Sequence, residues 1–173
     1  SYKRRHRLVT IRLPLDTSPM TQQQLRAYAH LLVNYCVSLQ AGERLFVSST
    51  VLAAPLITEI KKEVLKVGGH LEYSLSVAGS AAAMRDYGSV EQFAYVPALY
   101  KAAIEEFEAY INIRAPFSLR EEPPAPALRE ASRVAMGPVM KTYFERTADR
   151  RLKRSICVFP CPALAEEAEM SLE

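Results

Sequence analysis

The side chains that could do chemistry in this sequence are few, and their spacing brings none of them together. The histidines are His6, His30 and His70, and the adjacent acidic pairs are Glu105 with Glu106, Glu121 with Glu122, and Glu166 with Glu167. No histidine stands in the HxxxH or HExxH spacing that places two metal ligands on one helical face. Neighbouring residues of a helix point in different directions, so the acidic pairs indicate solvated surfaces. The sequence therefore predicts no metal ligand and no catalytic residue.

Motifs for nucleotide binding and acyl transfer are missing as well. The segment 49–55, which follows a predicted strand, contains no glycine that would let the backbone approach a pyrophosphate. There is no P-loop lysine and no GxSxG nucleophile elbow. The cysteines, Cys36, Cys157 and Cys161, are odd in number, which indicates a reducing compartment and structural thiols.

Two residues remain as candidates for a substrate cleft. Ligands of α/β domains bind beyond the carboxyl ends of the strands, and Ser49 and Arg114 lie at two such predicted ends. The Arg114 guanidinium could bind a carboxylate. An ordinary surface salt bridge is the alternative for this residue.

The elements that would position these residues alternate along the chain. The 173 residues are 49% hydrophobic and 24% charged, which is typical of one globular domain and excludes a disordered chain. Strands are predicted at 8–13, 44–48, 70–77, 110–114 and 155–159. Helices are predicted from Leu25 through Leu39 to a stop at Gly42, from Pro55, from Pro97, over 127–147 and over 162–170, and Gly79 to Tyr87 is predicted as a loop with a helical turn. Capping boxes are predicted at Thr21 with Gln24, before the first helix, and at Ser89 with Gln92. This order predicts a three-layer α/β fold with a mainly parallel sheet of four or five strands and helices on both faces.

The charge is concentrated at the start of the chain. The formal net charge is +3, and Lys3, Arg4, Arg5 and Arg7 supply four positive charges. We therefore divide the chain into a basic arm, 1–19, and an α/β domain, 20–173. No basic face follows the arm, and no apolar run is long enough for a membrane span. Neither a nucleic acid nor a membrane is expected as a partner, and a cytoplasmic location is expected.

Several segments together resemble one enzyme family. The chain from about residue 20 to 173 is similar, in order, to the thermophilic-type metalloaminopeptidases, the aminopeptidase T and aminopeptidase S family. The segments that carry the resemblance are Leu31–Cys36, Gln40–Arg44, Ala53–Leu56 with the following helix to Gly68–His70, Ala109–Ala115, Phe144–Thr147, Phe159–Ala165 and Met170–Leu172.

The resemblance implies a longer hydrolase, a metallopeptidase that removes N-terminal amino acids from peptides with two divalent metal ions of the zinc, cobalt or manganese type. In that family the metal ligands lie in the C-terminal half, so this segment is expected to hold no cofactor and to be inactive alone. The implied role is that of an N-terminal domain that supports a homodimer and encloses the active site, with its own missing C-terminal catalytic domain as partner. A free-standing, non-catalytic protein-interaction module is the alternative.

Overall fold

The structure is a computed structural model that describes residues 19–172. The predicted strand 8–13 and the basic residues of the arm lie outside that range. The strands are β1 (Arg44–Thr50), β2 (His70–Ser76), β3 (Ala109–Arg114) and β4 (Lys153–Val158). The helices are α1 (Gln22–His30), α2 (Ala54–Lys66), α3 (Ser80–Tyr87), α4 (Val90–Phe93), α5 (Ala98–Glu106), α6 (Pro126–Ala148) and α7 (Pro162–Glu167).

The four strands form one parallel sheet in the order β2-β1-β3-β4. The alternation of strands and helices therefore predicted the fold class correctly, and the described residues supply four of the four or five predicted strands. Strand β2 lies on one side of β1, and β3 and β4 lie on the other side, so the direction in which strands are added reverses after β2. Such a reversal of strand order leaves a crevice at the carboxyl ends of β1 and β3.

Helices cover both faces of the sheet, each with its own hydrophobic core. Leu45, Val47 and Ile111 pack on the side of α1 and α2. Phe46 and Tyr110, the alternate residues of the same strands, pack on the side of α5 and α6. This alternation follows from the two-residue period of a strand, and it confirms the three-layer arrangement.

The first helix ends earlier than its apolar spacing predicts. Its start is the predicted capping box, in which Thr21 Oγ1 accepts from the Gln24 amide at 3.3 Å. The chain then widens into a π-helical turn, Leu31–Cys36, and Ser38 adopts a left-handed φ of 43°. Gly42 is therefore not the helix stop. Its amide donates to Gly68 O at 2.9 Å, so it belongs to the turn that leads into β1.

The segment 79–87, predicted as a loop with a helical turn, is the two-turn helix α3. Gly79 adopts a φ of 79°, which a residue with a side chain rarely does, and its carbonyl accepts from Ala83 at 2.8 Å. The alanines that follow favour a helix. None of the residues of α3 is buried, so its sequence lacks the apolar stripe by which a helix is recognised.

Two buried carboxylates, Glu59 and Glu63, join α2 to α1. Glu59 accepts from Gln22 Nε2 at 2.7 Å, and Glu63 lies 3.0 Å from His30 Nδ1. Lys62 and Lys66 on α2 pair with the same two carboxylates. A carboxylate inside a helix interface is tolerated only when it is hydrogen-bonded and paired, and this set of contacts supplies both conditions.

A second ion pair fixes the amino ends of β1 and β3 and leads to a pH prediction. Glu108 accepts from the Arg44 amide at 2.8 Å and from Arg44 Nη2 at 2.9 Å. The hydrogen bonds and charge of Arg44 lower the pKa of Glu108 to about 2. Because the folded pKa lies below the unfolded value of about 4.3, the stabilisation is complete above that value and is lost as the pH falls towards 2.

Glu108→Gln is therefore expected to lower the free energy of unfolding by about 1–2 kcal/mol at neutral pH and to flatten its pH dependence between about pH 5 and 2. Urea denaturation at a series of pH values measures both effects. Glu130→Gln is the control: both Glu130 and its partner Arg133 are exposed, so its effects on the stability and on the slope should be much smaller. A Glu108 variant with the acid sensitivity of the parent would contradict the assignment.

Candidate functional site

The crevice at the carboxyl end of the sheet is a hollow of about 340 Å³. It lies between the end of β1, the start of α3 and the segment after β3. Its lining residues are Thr50, Ser76, Val77, Gly79, Ser80, Ala81, Pro116, Phe117, Ser118 and Glu121. Thr50 Oγ1 donates to Ala115 O at 2.6 Å, so this hydroxyl holds the end of β1 to the end of β3.

Ser49 and Arg114, the residues predicted for a substrate cleft, do not line this crevice. Ser49 Oγ donates to Ile113 O at 2.9 Å, which ties β1 to β3. Arg114 is exposed, and no hydrogen bond or ion pair joins its side chain to another residue of the described range. The two side chains lie on opposite faces of the sheet. Ser49 is two residues from Val47 and shares its face, whereas Arg114 directly follows Ile113, which packs in the same core as Val47, and so lies on the other face. Their assignment to a substrate cleft stays a prediction.

A larger hollow of about 510 Å³ lies over β1 and β2, on the side of the sheet where α5 and α6 pack. We call it the sheet groove. Its lining residues are Phe46, Ser48, Ser74, Met84, Gln92, Phe93, Tyr95, Pro97, Tyr100, Ser132 and Met136. Strands β1 and β2 form the floor, where Ser48 and Ser74 are direct neighbours in the strand register. The helices α3 to α6 and their connections form the walls.

A hydrogen-bonded chain of three polar side chains connects the floor of the sheet groove, at Ser48, to Asn112 and Tyr110 on β3. Asn112 Nδ2 donates to Ser48 Oγ at 2.8 Å, and Ser48 Oγ lies 2.7 Å from the Tyr110 hydroxyl. Polar residues in the middle of two central strands are unusual, since such strands are normally buried on both faces. Ser48 and Asn112, which interrupt the apolar runs of β1 and β3, are the sequence signal for a hollow on this face.

A third hollow, also of about 510 Å³, lies between the segment after β3 and α7. Glu166, Glu167 and Glu169 contribute to its lining, and Arg120 lies 3.6 Å from Glu166. Both members of this ion pair are largely exposed, so the contact adds little stability.

The described residues do not form a metal site. Between residues 19 and 172 there is no group of three or more histidine, cysteine, aspartate or glutamate side chains placed to hold a metal ion. His30 is engaged with Glu63 at the interface of α1 and α2, and His70 lies at the start of β2. Within the same range, no helix is both long enough and apolar enough to cross a bilayer.

Comparison with known proteins places this α/β domain in a family. Residues 21–173 match the family model of the thermophilic metalloprotease (M29). The sequence is 28% identical over 152 residues to aminopeptidase 2 of Geobacillus stearothermophilus, an alignment that covers 84% of this chain. The fold is similar to wild-type AmpT from Thermus thermophilus, with a TM-score of 0.67 and 16% identity over 82% of this chain.

The chain belongs to the thermophilic metalloprotease (M29) family, which confirms the resemblance seen in the sequence. It spans 37% of the length of aminopeptidase 2 and 37% of the length of the AmpT chain. The described residues thus correspond to a minor part of each relative.

Proposed function

We propose that this chain is the N-terminal domain of a metal-dependent aminopeptidase that removes N-terminal amino acids from peptides. In this proposal the domain supports a homodimer and encloses the active site, while the two divalent metal ions are bound by a catalytic domain that the chain does not include. The observation that carries the proposal is the family match over residues 21–173 together with the 37% share of both relatives.

The side chains of the described range support a role without metal ligands. The family implies metal ions, but residues 19–172 offer no cluster of ligands that would fit one. Two of the polar side chains near the carboxyl end of the sheet are engaged in fixing the strands, through the bonds from Ser49 to Ile113 and from Thr50 to Ala115. No reaction step is therefore assigned to these residues.

A chimera tests the proposal. The portion of aminopeptidase 2 that matches this chain is replaced by this chain, and hydrolysis of an aminoacyl anilide is measured with added cobalt, zinc or manganese. We expect the chimera to bind metal and to turn over the substrate, and we expect this chain alone to do neither. The parent aminopeptidase 2 and the isolated remainder of that enzyme serve as controls.

Two results would count against the proposal. Turnover by this chain alone, with stoichiometric metal, would reveal a catalytic site in it. A chimera that is folded and loaded with metal but inactive would favour the free-standing protein-interaction module. Sedimentation of the active chimera then tests the homodimer separately.

A further inference from the structure

We propose that the free edge of β4 is the docking surface for residues 8–13 of the same chain, which pair with it as a fifth, parallel strand. The outer strands of the sheet are β2 and β4, and within the described range each has a neighbouring strand on one side only. The proposal goes beyond the peptidase role and does not depend on it, because the family match begins at Thr21.

Helix α1 runs in the direction that a connection between two parallel strands requires. Gln22, at its start, contacts Glu59, and His30, at its end, contacts Glu63. Helix α1 therefore runs the same way as α2, which leads from the carboxyl end of β1 back to the start of β2. A strand that ends shortly before α1 would run parallel to β1. The connecting residues 14–20 can span about 25 Å, which is ample for this step.

The hand of the crossover selects the edge. Helices α1 and α2 lie on the same face of the sheet, over Leu45, Val47 and Ile111. Crossovers between parallel strands are right-handed almost without exception, so two crossovers on one face advance across the sheet in the same direction. The crossover through α2 leads from β1 to β2, away from β3. A strand joined to β1 through α1 must lie on the β3 side of β1, and the first free position there is the outer edge of β4.

An apolar flank of the first helix and its π-helical turn lies over that edge. Tyr28, Leu31 and Tyr35 recur at helical spacing and point away from His30, which faces α2. The Tyr28 hydroxyl donates to Val158 O at 3.2 Å, so this flank lies above β4. Leu31 is 46% exposed and Tyr35 is 80% exposed. A strand beside β4 would cover both side chains.

The proposed strand has the alternation that this position requires. Val9, Ile11 and Leu13 are apolar and would share one face of a strand, and the polar Thr10 and Arg12 would share the other. The apolar face fits against the exposed flank of the first helix. The polar face would then point to the opposite side of the sheet, where β4 itself is exposed to solvent.

The backbone of β4 can supply the hydrogen bonds. The Lys153 amide donates to Glu108 O at 2.9 Å and therefore points to β3. Successive amides of a strand point in alternate directions, so the Arg154 and Ile156 amides point to the free edge. These two amides report directly on whether a further strand is paired there.

Hydrogen exchange of single amides, followed by NMR on the 173-residue chain, tests the pairing. The Arg154 and Ile156 amides are expected to exchange at least about tenfold more slowly in this chain than in the Ile11→Glu variant, because a carboxylate cannot be buried against the apolar flank. Val9→Glu should have the same effect.

Two controls accompany this measurement. Thr10→Glu adds the same charge on the opposite face of the proposed strand and should change the exchange less than about threefold. The Tyr73 amide is the internal control. The His70 amide donates to Glu43 O on the side of β1, so the Tyr73 amide points to the other free edge of the sheet and should exchange equally in every variant. Circular dichroism verifies the fold of each variant.

Three results would overturn the proposal. Equal exchange of the Arg154 and Ile156 amides in all variants would show that residues 8–13 do not pair with β4. A response of Tyr73 in place of Ile156 would assign the segment to the edge of β2. Protection of the β4 amides that rises with protein concentration would show that the strand comes from a second copy of the chain.

Discussion

Replacing Ile111 by alanine is expected to lower the free energy of unfolding by about 2–5 kcal/mol. Ile111 lies in β3, one of the two central strands, and its side chain is fully buried against α1 and α2. The substitution removes the apolar contacts and leaves a cavity that the neighbouring strands cannot close without disturbing their register. For a domain of this size, the midpoint of thermal unfolding should fall by about 2–4 °C per kcal/mol.

The matched control is Ile156→Ala in the neighbouring strand β4. Asn112, next to Ile111, is paired with Ile156 in the register, yet the side chain of Ile156 is 59% exposed. The same deletion there should cost less than about 1 kcal/mol. Equal losses at the two positions, measured by urea denaturation, would show that β4 is covered in solution or that β3 is not central.

The sheet was predictable because its strands are short apolar runs separated by helix signals. Arg44 to Ser48 and Tyr110 to Arg114 were both identified, and the structure extends each by one or two residues. Capping boxes were equally informative, since Thr21 with Gln24 and Ser89 with Gln92 form as the sequence predicts. These signals are local, so one sequence is sufficient to detect them.

Features without a local sequence signal were not predictable in the same way. The helical spacing continued to Leu39, but the helix gives way to a π-helical turn at Leu31–Cys36 and ends at Val37. Helix α3 was missed because it buries none of its side chains, and the interface pairs of Glu59 and Glu63 were missed because their partners lie on another helix.

The candidate site was also predictable only where it depends on local sequence signals. The position of the crevice followed from the strand order, but Ser49 and Arg114 were chosen without knowledge of which face each side chain leaves. The sheet groove could not be predicted because it depends on strand register. Ser48 and Asn112 face α5 and α6, and the register of β1 and β3 places them next to each other, where they form a hydrogen bond.

Gly69→Ala is expected to lower the free energy of unfolding by about 1–3 kcal/mol. The chain between α2 and β2 passes close to the core at this point. A Cβ atom on Gly69 would lie 2.8 Å from Leu39 Cδ2 and 3.1 Å from Glu43 O. The Glu43 carbonyl accepts the His70 amide at 2.9 Å, so the backbone cannot retreat without weakening the start of β2. Thermal and urea denaturation measure the loss.

Gly137→Ala is the matched control for the same chemical change. Gly137 lies within α6, and a Cβ atom there would meet nothing within 4 Å outside its chain neighbours and the adjacent helix backbone. Alanine favours a helix over glycine by about 0.5–1 kcal/mol, but the next residue is Pro138, whose ring disfavours the α conformation of a preceding residue that carries a Cβ atom. Because these two effects oppose each other, the variant should change the free energy of unfolding by less than about 1 kcal/mol. Both variants add one methyl group, so a clearly larger loss at Gly69 isolates the contact with Leu39 and Glu43 as the cause. A stabilised Gly69→Ala protein would show that the turn between α2 and β2 has more room than the close approach of these atoms allows.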